Sequence, residues 1–416
     1  MFYTLNHDTY LVRGAARGCI YNFNSLKLYS LNKALSDKID FVNHGNVCSD
    51  DIDSELQTVF EQLIGEEVLT LSETPTTNQI EEIKLSNAAC NFAWVEITNQ
   101  CNLRCRHCYN ESEAQSTSVM SLENYKIVID KLLNLGVSRL QLIGGEPFFH
   151  RNRLKDMLDY TIGKFSFIEI FTNGTLIDSS WMEYLLKHDI HIALSVYSYQ
   201  KDMHDTVTGC LGSHLKTTNT IAALKHQGIP YRVCNVLMNG IDLGEKNTDL
   251  YELSHEKDVV RMSGRASFSL LSDELIRMKL ITKKSFDVPI SRQFASRLVS
   301  GHNCFRDRIY VSANMDVYPC VMERRLKHCT ICADQEIKLD DAIRGLNKDN
   351  ITTCAQCEYR YACFDCGPNS LSGSLLEKPW YCTYDPLTGT WADEDLFIEN
   401  LKKQWGAPPP SETVEF

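Results

Sequence analysis

The sequence predicts an α/β fold: a parallel sheet, open or partly closed into a (β/α)6 TIM-like barrel, between a winged-helix-like N-terminal module and a cysteine-rich C-terminal extension. Three observations predict it. From about residue 90 to 264, short apolar runs alternate with helical spacing six times. Residues 1–70 carry a separate pattern of short strands and amphipathic helices. Nine of the 17 cysteines fall in 304–382, in stretches too irregular to bury much apolar surface, where metal is expected to hold the chain together.

The 416 residues allow two to three domains, and 43% hydrophobic content suits a folded core. A net charge of -12 argues against broad nucleic-acid binding and against anionic membranes. The N-terminus lacks a basic start followed by an apolar run, and no apolar run reaches 18 residues. A cytoplasmic protein is therefore expected, with thiols kept reduced. Clustered thiols, odd in number, then point to metal rather than to a disulfide framework.

In chain order, "TYLVRGA" and "GCIYNF" alternate like two strands, and "SLNKALSDKI" and 51–71 have helical spacing. "SETPTTNQ" is a linker. The barrel strands are expected at "FAWVEIT", "RLQLIGG", "FIEIFTN", "HIALSVYS", "YRVCNVLM" and "VVRMSG", with helices at 121–136, 151–163, 178–187 and 212–227 and a helical stretch before the sixth strand. The expected domains are 1–85, 86–300 and 301–400, with a flexible tail over 401–416.

Ligands of such sheets gather at the C-terminal ends of strands. "CNLRCRHC" directly follows the first strand and spaces Cys101, Cys105 and Cys108 by three and two residues. Three thiolates can hold three irons of a cubane cluster and leave the fourth open to a small molecule. Zinc would require a fourth ligand, and His107 is badly spaced to supply it. "GGEP" follows the second strand at the same rim, where Gly144 and Gly145 permit close backbone approach.

These motifs resemble the radical SAM superfamily. The resemblance implies a [4Fe–4S] cluster on Cys101, Cys105 and Cys108 whose open iron binds S-adenosylmethionine and yields a 5′-deoxyadenosyl radical on reduction. It further implies cofactor contacts from Gly144, Gly145, Glu146 and Pro147, and from Asn173 and Ser195 at the ends of strands three and four; a turn and a core serine are the alternatives there. His107 occupies the usually aromatic place whose backbone faces adenine.

"CAQCEYRYACFDC" completes a set of Cys304, Cys320, Cys354, Cys357, Cys363, Cys366 and Cys382. The set resembles the SPASM extension, which implies two auxiliary [4Fe–4S] clusters. Met315 replaces the expected Gly, and the quartet's last gap is two rather than three. By the family pattern, Cys354, Cys357, Cys363 and Cys382 serve the second auxiliary cluster. Cys304, Cys320 and Cys366 serve the first, which is completed by Cys329 or Cys332 or left with an open iron. A zinc quartet at 354–366 is the alternative. Val321 stands where sulfatase-maturing members carry Asp, which argues against formylglycine formation.

The N-terminal module resembles leader-recognition domains, in which a peptide adds a strand to a sheet edge. The expected protein is thus a maturase of a ribosomally made precursor peptide, reduced by a flavodoxin or ferredoxin. A cysteine thioether is favoured, ahead of a carbon–carbon or carbon–oxygen link, epimerisation, or modification of a folded protein. A zinc-stabilised peptide-binding protein is the non-enzymatic alternative. His204–Asp205 reads as structural. Cys19, Cys48, Cys90 and Cys234 read as core or surface thiols, Cys210 as a rim thiol. No catalytic acid or base is nominated.

Overall fold

The computed structural model describes residues 1–406 except 46, 48–51, 87–88, 245–254, 303, 366–373 and 375–376. The chain divides into two compact units: Met1–Ala88 with Leu280–Arg306 and Arg344–Phe416, and Ala89–Lys279 with Asp307–Ile343.

The first unit opens with four strands, β1 (Phe2–Leu5), β2 (Thr9–Arg13), β3 (Arg17–Asn22) and β4 (Lys27–Asn32). Helix α1 (Lys33–Asn43) is capped by Asn32, helix α2 (Ser54–Gly65) by Asp53, and β5 (Leu69–Ser72) returns to pair with β1. Strands β2, β3 and β4 form an antiparallel sheet. "SLN" of the expected helix is the end of β4, and "LTL" of the second expected helix is β5. The period of two in β3 divides two cores. Ile20 joins Ile39, Phe60 and Val68 under the helices. Cys19 and Tyr21 pack with Tyr359, Tyr361 and Tyr384 of the cysteine-rich segment, and the Tyr21 hydroxyl donates to the Glu358 carbonyl at 3.0 Å. The N-terminal sheet, residues 280–306 and the part of the cysteine-rich segment from Arg344 onward therefore share one unit.

The second unit contains the barrel: β6 (Phe92–Thr98), α3 (Leu122–Asn134), β7 (Arg139–Gly144), α4 (Arg151–Thr161), β8 (Phe167–Thr172), α5 (Ser179–Lys187), β9 (His191–Ser195), α6 (Lys201–Thr208), α7 (Ser213–Gln227), β10 (Tyr231–Leu237) and β11 (His255–Val259). Strands β6 to β11 are parallel neighbours in chain order. Strand β12 (Arg308–Val311) joins parallel to the free side of β6, and the antiparallel hairpin partners β13 (Asp316–Tyr318) and β14 (Cys329–Thr330) follow. Nine strands lie in one open sheet. In β6, Ala93, Val95 and Ile97 face the helical layer with Val128, Leu132 and Leu142, while Trp94 faces the opposite side, the barrel's concave interior.

The sixth strand differs from the expectation at "VVRMSG". It ends at Val259, and Val233 pairs with His255. Residues after it turn over the cysteine loop: Gly264 has φ +58, and Arg265 N–H donates to the Cys108 carbonyl at 3.1 Å. The helical stretch expected before this strand falls largely on 245–254, outside the described residues.

Candidate active site

The C-terminal ends of these strands border a cleft of about 380 Å³, open to solvent, lined by Cys101, Cys105, Cys108, His107, Gly144, Gly145, Asn173 and Ser195. Eight of the expected site residues thus share one cavity. Trp94, Phe171, Val236, Val260, Val321 and Met322 give the cleft apolar lining, beside the polar Gln141, Asn235, Asp258 and Arg261.

The cysteine loop is held from several sides. Arg104 and Arg106 donate their N–H groups to the Thr208 and Val207 carbonyls of α6, each at 3.0 Å. Cys101 Sγ accepts from Leu103 N–H at 3.3 Å and Cys108 Sγ from Ser112 N–H at 3.4 Å. Burial pushes the Cys101 thiol up to about 12, helped by the Glu146 charge. Burial also raises Cys105, and Cys101 and Cys108 raise it further. Among the described residues, no three such side chains are already closed up as a metal site. The donor set nevertheless fits one: three thiols share one short loop, burial of Cys101 and Cys105 favours their ionisation only beside a cation, and N–H donors already reach the Cys101 and Cys108 sulfurs.

The glycines serve the scaffold first. A Cβ on Gly144 would stand 2.2 Å from the Thr98 carbonyl oxygen, and one on Gly145 2.2 Å from that of Gln100. The close approach is thus to the end of β6, which seats the second rim against the cysteine loop. Glu146 and Pro147 are buried and lie behind the cleft surface. Glu146 caps the turn at Phe148 N–H (3.0 Å) and accepts from Thr172 Oγ1 (2.7 Å) and Asn173 N–H (2.8 Å). Burial raises its carboxyl to about 7. Asn173 Nδ2 approaches Cys101 Sγ at 3.8 Å and donates to Asn102 Oδ1 at 3.1 Å.

The sequence reading missed Tyr197, Tyr109 and the cleft position of Cys234. Tyr197 lies two residues beyond Ser195 and shares its face, which a period of two could have revealed. Its ring meets His107 edge-on at 4.5 Å. Burial raises the Tyr197 phenol, and burial lowers His107 to about 4, so the imidazole is neutral. Cys234 lines the cleft and accepts from Arg232 Nη1 at 3.1 Å. Cys19 and Cys90 are core residues; Cys48 lies outside the described residues. Asp205 accepts from Gly212 N–H (2.7 Å), Ser213 Oγ (2.8 Å) and His214 N–H (2.8 Å), and His204 is buried beside Tyr197. That pair is structural.

In the first unit, Cys354, Cys357, Cys363 and Cys382 line a second, narrow cavity of about 20 Å³. Cys366 lies outside the described residues. Cys304 belongs to the first unit and Cys320 to the second. Cys329 pairs with Val317 and packs with it into the barrel core, and Cys332 is exposed.

Residues 95–253 match the family model of the Radical SAM superfamily. That stretch is similar to a radical SAM domain and includes the cysteine loop and the Gly144–Gly145 rim. Over 179 residues, 42% of this chain, it is 35% identical to the antilisterial bacteriocin subtilosin biosynthesis protein AlbA of Bacillus subtilis (strain 168). Over 222 residues, 52% of this chain, it is 26% identical to the sporulation killing factor maturation protein SkfB of the same organism. These matches span 38% and 51% of the relatives' own lengths. The structure of native anSMEcpe with bound AdoMet is similar in fold, with a TM-score of 0.51 and 15% identity over 76% of this chain and 100% of that one. Among the described residues, no helix is long and apolar enough to cross a membrane.

Proposed function

We propose that the protein is a radical SAM maturase that cross-links a ribosomally made precursor peptide. The observation that carries the reading is the cleft itself: three thiols and the Gly144–Gly145 rim line it together with the apolar Trp94, Phe171, Val260 and Met322. Bound on Cys101, Cys105 and Cys108, the cluster and S-adenosylmethionine supply the radical that removes a hydrogen from the peptide. The chain's own residues hold the thiols and seat the two rims against each other.

That AlbA is a bacteriocin biosynthesis protein and SkfB a killing-factor maturation protein supports a peptide substrate. A cysteine thioether is the favoured product. The quartet Cys354, Cys357, Cys363 and Cys382 fits a second auxiliary cluster, because four thiols line one cavity. For the first, Cys304, Cys320 and Cys366 remain the proposed ligands. The inward face of Cys329 and the exposure of Cys332 favour an open iron, which could take a substrate thiolate. The leader would add a strand to the edge of β4, the most exposed strand of its sheet. A flavodoxin or ferredoxin in the cytoplasm would supply electrons.

The test is mass spectrometry of a co-expressed precursor. Loss of two hydrogens per link is expected; an unchanged mass with deuterium uptake from solvent would mean epimerisation instead. Iron content separates the non-enzymatic reading. About 12 irons per chain, falling to about 8 in a Cys101/Cys105/Cys108→Ala variant, are expected for three cubane clusters. Zinc alone would make the protein a zinc-stabilised peptide binder.

A further inference from the structure

Lys348 is an unusual residue in the first unit. Its side chain is 9% exposed, and its ammonium donates to Asp365 Oδ2 at 2.6 Å. Asp365 is 3% exposed and also faces His302 Nε2 at 3.3 Å. His302 in turn accepts the Cys304 N–H on Nδ1 at 3.2 Å. Lysine is seldom buried without a specific partner, and a surface ion pair would have served folding at less desolvation cost.

The placement of the pair supplies a reason. Lys348 lines the four-thiol cavity with Cys354, Cys357, Cys363 and Cys382, whereas Asp365 does not. The lysine of the pair therefore borders the four-thiol cavity, and its aspartate stands behind it. Two further cations line the cavity. Arg360 is paired with Asp349 at 2.8 Å, and Lys378 donates to the Tyr384 carbonyl at 2.9 Å. Glu358, beside Cys357, is held by the Tyr384 hydroxyl at 2.5 Å, and burial raises its carboxyl.

A cubane cluster held by four thiolates becomes more negative by one charge on reduction. A buried cation beside it favours the reduced form, and in a low-dielectric site that preference is large. We propose that Lys348 is a positioning residue that sets the reduction potential of the second auxiliary centre: its ammonium, held by Asp365 beside the four-thiol cavity, stabilises the reduced cluster and makes the centre able to accept an electron. The inference rests on the reading of the quartet as an iron–sulfur ligand set. The electron accepted is the one left on the peptide after hydrogen abstraction and bond closure, and it passes on to an oxidised flavodoxin or ferredoxin.

The experiment is an EPR-monitored redox titration of the full chain in the Cys101/Cys105/Cys108→Ala background, which keeps only the auxiliary centres. Lys348→Met should lower the reduced-to-oxidised ratio of one centre at least tenfold at fixed potential, about 59 mV for one electron. Lys348→Arg should restore most of it. Lys348→Gln keeps a hydrogen bond to Asp365 without the charge; it should behave as the Met variant and guards against misfolding. Unchanged potentials in Met and Gln variants with full iron, or an Arg variant that behaves as Met, would overturn the proposal and leave the quartet reading intact. Zinc in the wild-type quartet would overturn both.

Discussion

Glu146 and Asn173 are joined by a 2.8 Å hydrogen bond from the Asn173 amide N–H to Glu146 Oε2. It ties the second rim loop to the third, and Asn173 in turn approaches Cys101. Glu146 is fully buried and its carboxyl is raised to about 7 from 4.5. A raised folded-state value means that the contribution is present below pH 4.5 and is lost as pH rises through 7. The wild type should therefore lose about 3 kcal/mol relative to Glu146→Gln between pH 4.5 and 7. Urea denaturation of both proteins across that range checks this, and a constant difference would show that Glu146 does not titrate there.

Gly145→Ala should cost about 1–3 kcal/mol, because its Cβ would press on the Gln100 carbonyl, which a backbone so close cannot yield without strain. Gly65→Ala is the matched control. Nothing lies within 4 Å of its Cβ, so the change should be neutral or stabilising by up to ~1 kcal/mol. Thermal melts compare the two. The Gly145 variant should also bind S-adenosylmethionine more weakly after reconstitution, since the rim moves away from β6.

Glu96 is 4% exposed and takes the Tyr310 hydroxyl at 2.7 Å and Arg324 Nη2 at 3.4 Å. Arg324 also reaches Asn110 Oδ1 at 2.9 Å, two residues past Cys108. Arg324→Met leaves a buried carboxylate with less compensation and should destabilise by about 2 kcal/mol, below the full cost of a broken buried pair because Arg324 is partly exposed. Adding Glu96→Gln should recover part of that loss. Additive single effects in this double-mutant cycle would mean that the two charges do not interact.

Local signals made much of this architecture readable. The six strand–helix repeats, the three-cysteine loop and the two glycines were legible because each depends on neighbours within a few residues. The sixth strand was misplaced because "HEKD" is polar and is recruited by its register with β10, not by its own pattern. Strand β5 was hidden because "LTL" continues the apolar spacing of α2 and becomes a strand only by pairing with β1. Glu146 read as a cofactor contact, yet its partners lie 26 and 27 residues away. Nor does any local pattern link Lys348 to Asp365, 17 residues on, or seat Tyr21 against Glu358 across 337 residues.

Asp205 offers a test of how the cysteine loop is held. Its carboxylate accepts three donors from Gly212, Ser213 and His214, which fixes the turn between α6 and α7. The same helix end presents the Val207 and Thr208 carbonyls that bind the N–H groups of Arg106 and Arg104. Hydrogen bonds to a charged acceptor are worth roughly 1.5–3 kcal/mol each, and Asn can replace only part of them. In Asp205→Asn the α6 end should open more readily, by about 1.4 kcal/mol or more, a tenfold change in the opening equilibrium. The amides of Arg104 and Arg106 should then exchange with deuterium at least tenfold faster, while the β8 amides stay unchanged. Equal acceleration throughout the barrel would indicate global destabilisation, and no acceleration at Arg104 and Arg106 would mean that the cysteine loop holds its shape without α6.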